Sequence, residues 1–187
     1  HSEISVSKQY AKLVHAFPAI LSFEERREIR ALLKANSAVL TGRNSILGRN
    51  MHDKMQVIDV VVRELGLGKA AVLSVLFYEL FECNVLKIKD VESRFNTQIS
   101  TIVVGMKRVE ELYARNVSLE TENFRKLFLT FAEDVRVILI IIAAHLQLMR
   151  QLKSQPEDER QGIAREASFL YAPLAHRMGL YAIKTEL

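Results

Sequence analysis

The chain has 187 residues, 49% of them apolar and 26% charged, with only 7 Gly and 3 Pro. That length suits one domain, or one domain and the start of a second, and the scarcity of Gly and Pro argues against disorder and favours helices. A lone Cys83 excludes an internal disulfide, the longest apolar run, Val137 to Ala144, falls well short of the roughly 18 residues of a membrane-spanning helix, and no secretory leader opens the sequence, so a cytoplasmic setting is expected.

The formal charge is +4, yet 26 basic residues are interleaved with 22 acidic ones. Stretches such as Glu24-Glu25-Arg26-Arg27-Glu28 therefore read as solvated helix faces rather than as an anion-binding patch. In chain order, residues 1–22 form an N-terminal extension. Ser22 then caps a helix over Phe23 to Leu40, with Glu25 completing a capping box. Thr41 to Asn50 carries two glycines and two asparagines and reads as an irregular loop. Met55, Val57, Ile58, Val61, Val62 and Leu65 mark an amphipathic helix over Asp53 to Leu65, closed by Gly66. Lys69 to Phe81 is apolar nearly all round, which for a helix means burial in the middle of the domain.

Three further helices are expected over Lys89 to Phe95, Thr97 to Tyr113 and Leu119 to Phe131. Asp134 to Lys153 is the most hydrophobic, with Asp at its start and basic residues at its end complementing the helix dipole. Ser154-Gln155-Pro156-Glu157 marks the internal boundary: residues 23–153 form the main domain, and 154–187 a helical linker that Pro173 should kink or break.

The common phosphate-loop, CxxC and HExxH signatures are all missing. Three segments nevertheless stand out: Glu122 to Leu127 (ENFRKL), Asp134 to Ile140 (DVRVILI) and Tyr171 to Leu187 (YAPLAHRMGLYAIKTEL). They resemble the N-terminal region of the RelA/SpoT family, over about residues 20 to 187. The resemblance implies an all-α, HD-type phosphohydrolase fold, which in that family uses manganese to remove the 3′-pyrophosphate of (p)ppGpp. A magnesium-dependent synthetase domain, a GTP pyrophosphokinase, follows it. This chain is then expected to be a piece of a longer bacterial protein, with the synthetase domain beyond Leu187.

Manganese needs several imidazole and carboxylate ligands to replace lost hydration and activate water. Transferred residue by residue, the resemblance puts the family's first ligand histidine on Asp53, beside His52. Its His-Asp pair falls on Ser74 and Val75, the following acidic pair on Tyr78 and Glu79, and the last ligand aspartate on Ala144. The Arg, His and Asn after that aspartate fall on His145, Gln147 and Leu148. The expectation is a hydrolase frame without catalytic residues and without a metal or cofactor of its own.

For each candidate a plainer reading stands beside the functional one. His52 and Asp53 read as a helix cap or as remnant ligands, Glu79 as an exposed or helix-paired carboxylate or as a water-orienting base, and His145 as a hydrogen-bonded core residue or a rescued ligand. Arg43, Arg125, Lys126 and Arg150 read as salt-bridge partners of acidic helix faces or as phosphate contacts. His176 and Arg177 read as interdomain packing. The expected function is a degenerate hydrolase domain that regulates alarmone synthesis by the synthetase of the same polypeptide. Guanine nucleotides, a ribosome-associated parent and an oligomer are further possible partners, and no membrane is. The alternatives are an active hydrolase built from His52, Asp53, Glu79 and His145, or a module that binds a nucleotide or a partner protein.

Overall fold

A computed structural model describes residues 8–12, 20–42, 45–48, 50–95, 98–114, 126 and 134–180. Among them there is no strand, only an isolated bridge between Ser45 and Gly48. The helices are α1 (Phe23–Ala35), α2 (Ser37–Gly42), α3 (Met51–Asp59), α4 (Lys69–Glu82), α5 (Ile88–Arg94), α6 (Gln98–Ala114), α7 (Val135–Arg150), α8 (Glu157–Glu166) and α9 (Ala172–Arg177). The chain forms two compact units, His1–Val103 and Val104–Leu187, divided within α6.

In the first unit the capping box is present at α1. Ser22 Oγ accepts the Glu25 N–H at 3.2 Å, and the Glu25 carboxylate accepts the Ser22 N–H at 3.1 Å. Burial alone would raise the Glu25 pKa, but the Lys69 ammonium and the Ser22 hydrogen bonds outweigh it and hold the carboxyl below its ordinary value. The single helix expected over Phe23 to Leu40 is two. The Asn36 side chain turns back to donate to the Leu32 carbonyl at 2.9 Å, ending α1 before α2 begins. The N-terminal residues also join this unit, since Tyr10 is buried and its hydroxyl donates to the Arg26 carbonyl at 2.8 Å. Burial raises that phenol to about 12 against the opposing pull of Arg26 and Arg30.

The middle of this unit is α4, in which every residue from Ala70 to Leu80 is buried. It packs against α2 and α3. Each Leu, Val or Phe buried there contributes about 1.5–3 kcal/mol, which is why a helix apolar on all faces takes the centre. The helix begun at α3 widens into a π turn over Val60–Glu64, where the Leu65 N–H reaches the Val60 carbonyl at 3.0 Å. Gly66 ends it at φ 66°, as its position predicts.

In the second unit α7 is buried continuously from Ile140 to Gln147. Asp134 caps it by accepting the Arg136 N–H at 2.9 Å, and the Arg136 guanidinium clasps the same carboxylate, which holds the carboxyl below its usual range. Gly105 admits close approach of α6 to α7: a Cβ there would lie 2.7 Å from Val137 Cγ2. After a short turn at Leu152–Ser154, Pro156 caps α8 from outside its first turn.

The α-helical pattern is interrupted just ahead of Pro173. A π turn over Ala167–Tyr171 precedes it, the Ala172 N–H bonding to the Ala167 carbonyl, and α9 follows directly. Proline offers no N–H to the carbonyl four residues back, and a widened turn is one way to carry the chain past that gap. The helix expected over Leu119 to Phe131 and the segment 181–187 lie outside the described residues. No helix among the described residues is long and apolar enough to cross a membrane.

Candidate functional site

The positions at which the resemblance expects a metal site fall in both units. In the first, α3 begins under an Asn50 cap whose side chain accepts the Asp53 N–H at 3.0 Å. The cap is therefore Asn50 and not the His52-Asp53 pair. His52 is exposed and meets the Gln56 amide at 2.9 Å. Asp53 is buried, and Gly48, at φ 132°, lies so close over it that a Cβ on that glycine would sit 2.5 Å from Asp53 Cβ.

On α4, Ser74 donates its hydroxyl proton to the Ala70 carbonyl one turn back, at 2.6 Å. Val75 and Tyr78 are fully buried, and Phe77 packs its ring on Phe95 with centroids 5.8 Å apart. Glu79 departs from the expectation of an exposed or helix-paired carboxylate: it is 2% exposed and bridges three elements. One oxygen, Oε1, accepts the Ser45 hydroxyl at 2.6 Å, and the other, Oε2, meets the ammonium of Lys54, itself 2% exposed. Lys54 Nζ also lies 3.5 Å from the Leu76 carbonyl. Burial drives the Lys54 pKa below the ordinary lysine value, and the carboxylates of Glu79 and Glu82 oppose that fall.

Lys54 is the residue the sequence reading missed, and the pattern carried a signal for it. Met51, Lys54 and Ile58 are spaced three and four apart on the inner face of α3, so a lysine stands in an apolar stripe. Glu79 stands likewise in a helix apolar all round. Opposite charges at core positions of two neighbouring helices are explicable only as a pair.

In the second unit Ala144 is buried and Leu148 half-buried. His145 is a buried, hydrogen-bonded core histidine: its Nε2 lies 3.0 Å from the Ile163 carbonyl, and its ring stacks on Tyr171 at 4.0 Å. A carbonyl only accepts, so Nε2 carries the proton of the neutral ring. Nδ1 faces the Glu166 carboxyl at 3.8 Å. Burial lowers the His145 pKa to about 4, partly offset by the bond to Ile163, while burial raises Glu166 and Tyr171. Gln147 is buried, and Arg150, Lys126, His176 and Arg177 are exposed. Arg43 and Arg125 lie outside the described residues.

The sequence pattern of the HD domain matches residues 31–181. The bifunctional (p)ppGpp synthase/hydrolase SpoT of Escherichia coli K12 is 35% identical over 128 residues, and the guanosine-3′,5′-bis(diphosphate) 3′-pyrophosphohydrolase of Vibrio cholerae 36% over 129, each alignment covering 68% of this chain and 18% of the relative. This chain is an HD domain of the RelA/SpoT family. The GTP pyrophosphokinase rsh of Brucella ovis is 32% identical over 131 residues, 70% of this chain and 18% of that protein. The HD domain thus spans less than a fifth of the length of these curated relatives. The all-helical fold that the resemblance implied is the fold found.

Proposed function

We propose that this HD domain no longer hydrolyses guanosine tetraphosphate and instead regulates a synthetase on the same polypeptide. The observation that carries the first half is the buried Lys54–Glu79 pair. A divalent ion of the manganese kind needs several oxygen or imidazole donors held together. In the first unit the Ser74 hydroxyl is spent on its own helix, Val75 offers no donor, and Glu79 already faces a cation. Among the described residues no cluster of three or more His, Cys, Asp or Glu side chains stands where it would hold a metal. These residues do not fit a manganese ion.

The second half draws on the relatives: the Escherichia coli protein is named a synthase as well as a hydrolase, and the Brucella ovis protein a GTP pyrophosphokinase. The helical frame is kept here while the expected ligand positions carry other residues, which suits a part retained for its shape. The segment from α8 through the π turn to α9 is the route by which the domain's state would reach the synthetase, acting as an element with two packings.

Purified domain is incubated with (p)ppGpp and manganese. No pyrophosphate release above a metal-free control is expected, and release would sink the first half. Deleting residues 1–150 from the full-length protein tests the second, which fails if synthetase rate and its control are unchanged.

A further inference from the structure

We propose that the Lys54 ammonium is this domain's resident cation, gathering Glu79 and the Ser45–Gly48 turn among the first-unit positions at which the resemblance expects metal ligands. The inference rests on the reading of the site as one that takes no metal, and it adds what stands there in the metal's place and what that charge holds shut.

Three contacts converge on one carboxylate. Lys54 Nζ meets one oxygen of Glu79 and the Ser45 hydroxyl meets the other at 2.6 Å, so α3, α4 and the turn between α2 and α3 are joined through a single side chain. The turn is closed on itself as well. Ser45 and Gly48 exchange backbone hydrogen bonds at 3.0 and 3.1 Å, and the Leu47 N–H donates to Ser45 Oγ at 3.1 Å. The Ser45 hydroxyl therefore donates outward to Glu79 while accepting from within its own turn. The other end of the turn is seated by shape: Gly48 lies on Asp53 with no room for a Cβ, and Leu47 between them is fully buried.

The charge count explains the arrangement. A carboxylate buried at position 79 of an otherwise apolar helix is costly unless a cation neutralises it, and the lysine of the neighbouring helix does so without any ion from solution. A buried pair of this kind adds little net stability over an apolar pair of the same volume, whereas removing one partner strands the other. The coupling between positions 54 and 79 is therefore the quantity to measure.

The experiment is a thermal-unfolding cycle on the full chain with Lys54→Met, Glu79→Leu and the double variant, each with EDTA and with manganese chloride. Each single variant is expected to lower Tm by roughly 10 °C. The double variant should recover most of that loss, and neither EDTA nor manganese should move the wild-type Tm. Hydrogen exchange at the Ser45, Leu47 and Gly48 amides should quicken in Glu79→Leu relative to amides of α1. If a single variant does not fold, the wild-type manganese response and the double variant's amide exchange still decide. Additive losses in the cycle, a wild-type Tm raised by manganese, or unchanged turn amides without Glu79 would each overturn the proposal. Failure here leaves the hydrolysis assay standing on its own: a domain could lack hydrolysis without Lys54 holding the turn, and pyrophosphate release would sink the functional reading whatever the cycle gave.

Discussion

The two units bury their polar groups in opposite ways. In the first, Lys54 and Glu79 face each other across two helices and answer charge with charge. In the second, His145 is one residue from an expected ligand position and is buried as a neutral ring, with one nitrogen on the Ile163 carbonyl and one face on Tyr171. A helical frame can bury a polar group by two routes, by supplying a counter-charge from a neighbouring helix or by keeping the group neutral. The routes differ in how they fail: a pair fails when one partner is removed and the other is stranded, a neutral ring by protonation.

The sharpest way to break the contrast is to put back an acid. Val75→Asp in the first unit and Ala144→Asp in the second each place the acid that the resemblance expects at a buried position. Each should cost on the order of 4 kcal/mol at neutral pH in urea unfolding, since a carboxylate is costly to bury on a mostly apolar stretch of helix. Burial raises such a carboxyl, so the folded state keeps its proton to higher pH than the unfolded chain, and both losses should shrink as pH falls toward 4.

His145 gives the next largest effect, and its sign is the reverse. The unfolded chain protonates this ring near pH 6.5 and the folded state only near about 4, so the unfolded state holds more protons through that window. Stability should be full above pH 6.5 and fall by on the order of 3 kcal/mol as pH drops toward 4. Glu166, raised by burial, works the other way, favouring the folded state as it takes up its proton. The comparison that isolates the histidine is therefore wild type against His145→Phe, which keeps a ring on Tyr171. If the two unfold with the same pH dependence, the buried neutral histidine is wrong.

A glycine in each unit tests close packing. Gly48→Ala meets both a positive φ and the Asp53 Cβ, and should lose about 2–3 kcal/mol in urea unfolding. Gly105→Ala meets only the Val137 methyl and gains helix propensity, so a net loss of about 1 kcal/mol is expected, most of it recovered in Gly105→Ala/Val137→Ala. Smallest is the cap of α1: Ser22→Ala removes an exposed capping box and should cost about 0.5 kcal/mol by chemical denaturation.

Much of this was legible beforehand. The Ser22–Glu25 box, the buried α4, the Gly66 stop and the Asp134 start of α7 are all set within a few residues, and each was placed from spacing and composition. The departures have local chemical causes that periodicity does not weigh. Asn36 ends α1 with its own side chain, and a π turn leads the chain into Pro173. The helix pattern reads Glu79 as exposed or paired along its own helix, whereas its partners Lys54 and Ser45 come from other segments.

The sequence by itself determined that the chain is helical, where most helices run, which family frame they follow and which expected ligand positions carry other residues, because hydrophobic period and motif spacing are properties of the chain alone. Only the tertiary structure decided that Lys54 turns inward to Glu79, that Ser45 shares that carboxylate, and that His145 finds Ile163 and Tyr171. Such partners are 18 to 34 residues apart or on different helices, and a charge or an imidazole takes its burial and protonation from the groups that folding sets around it.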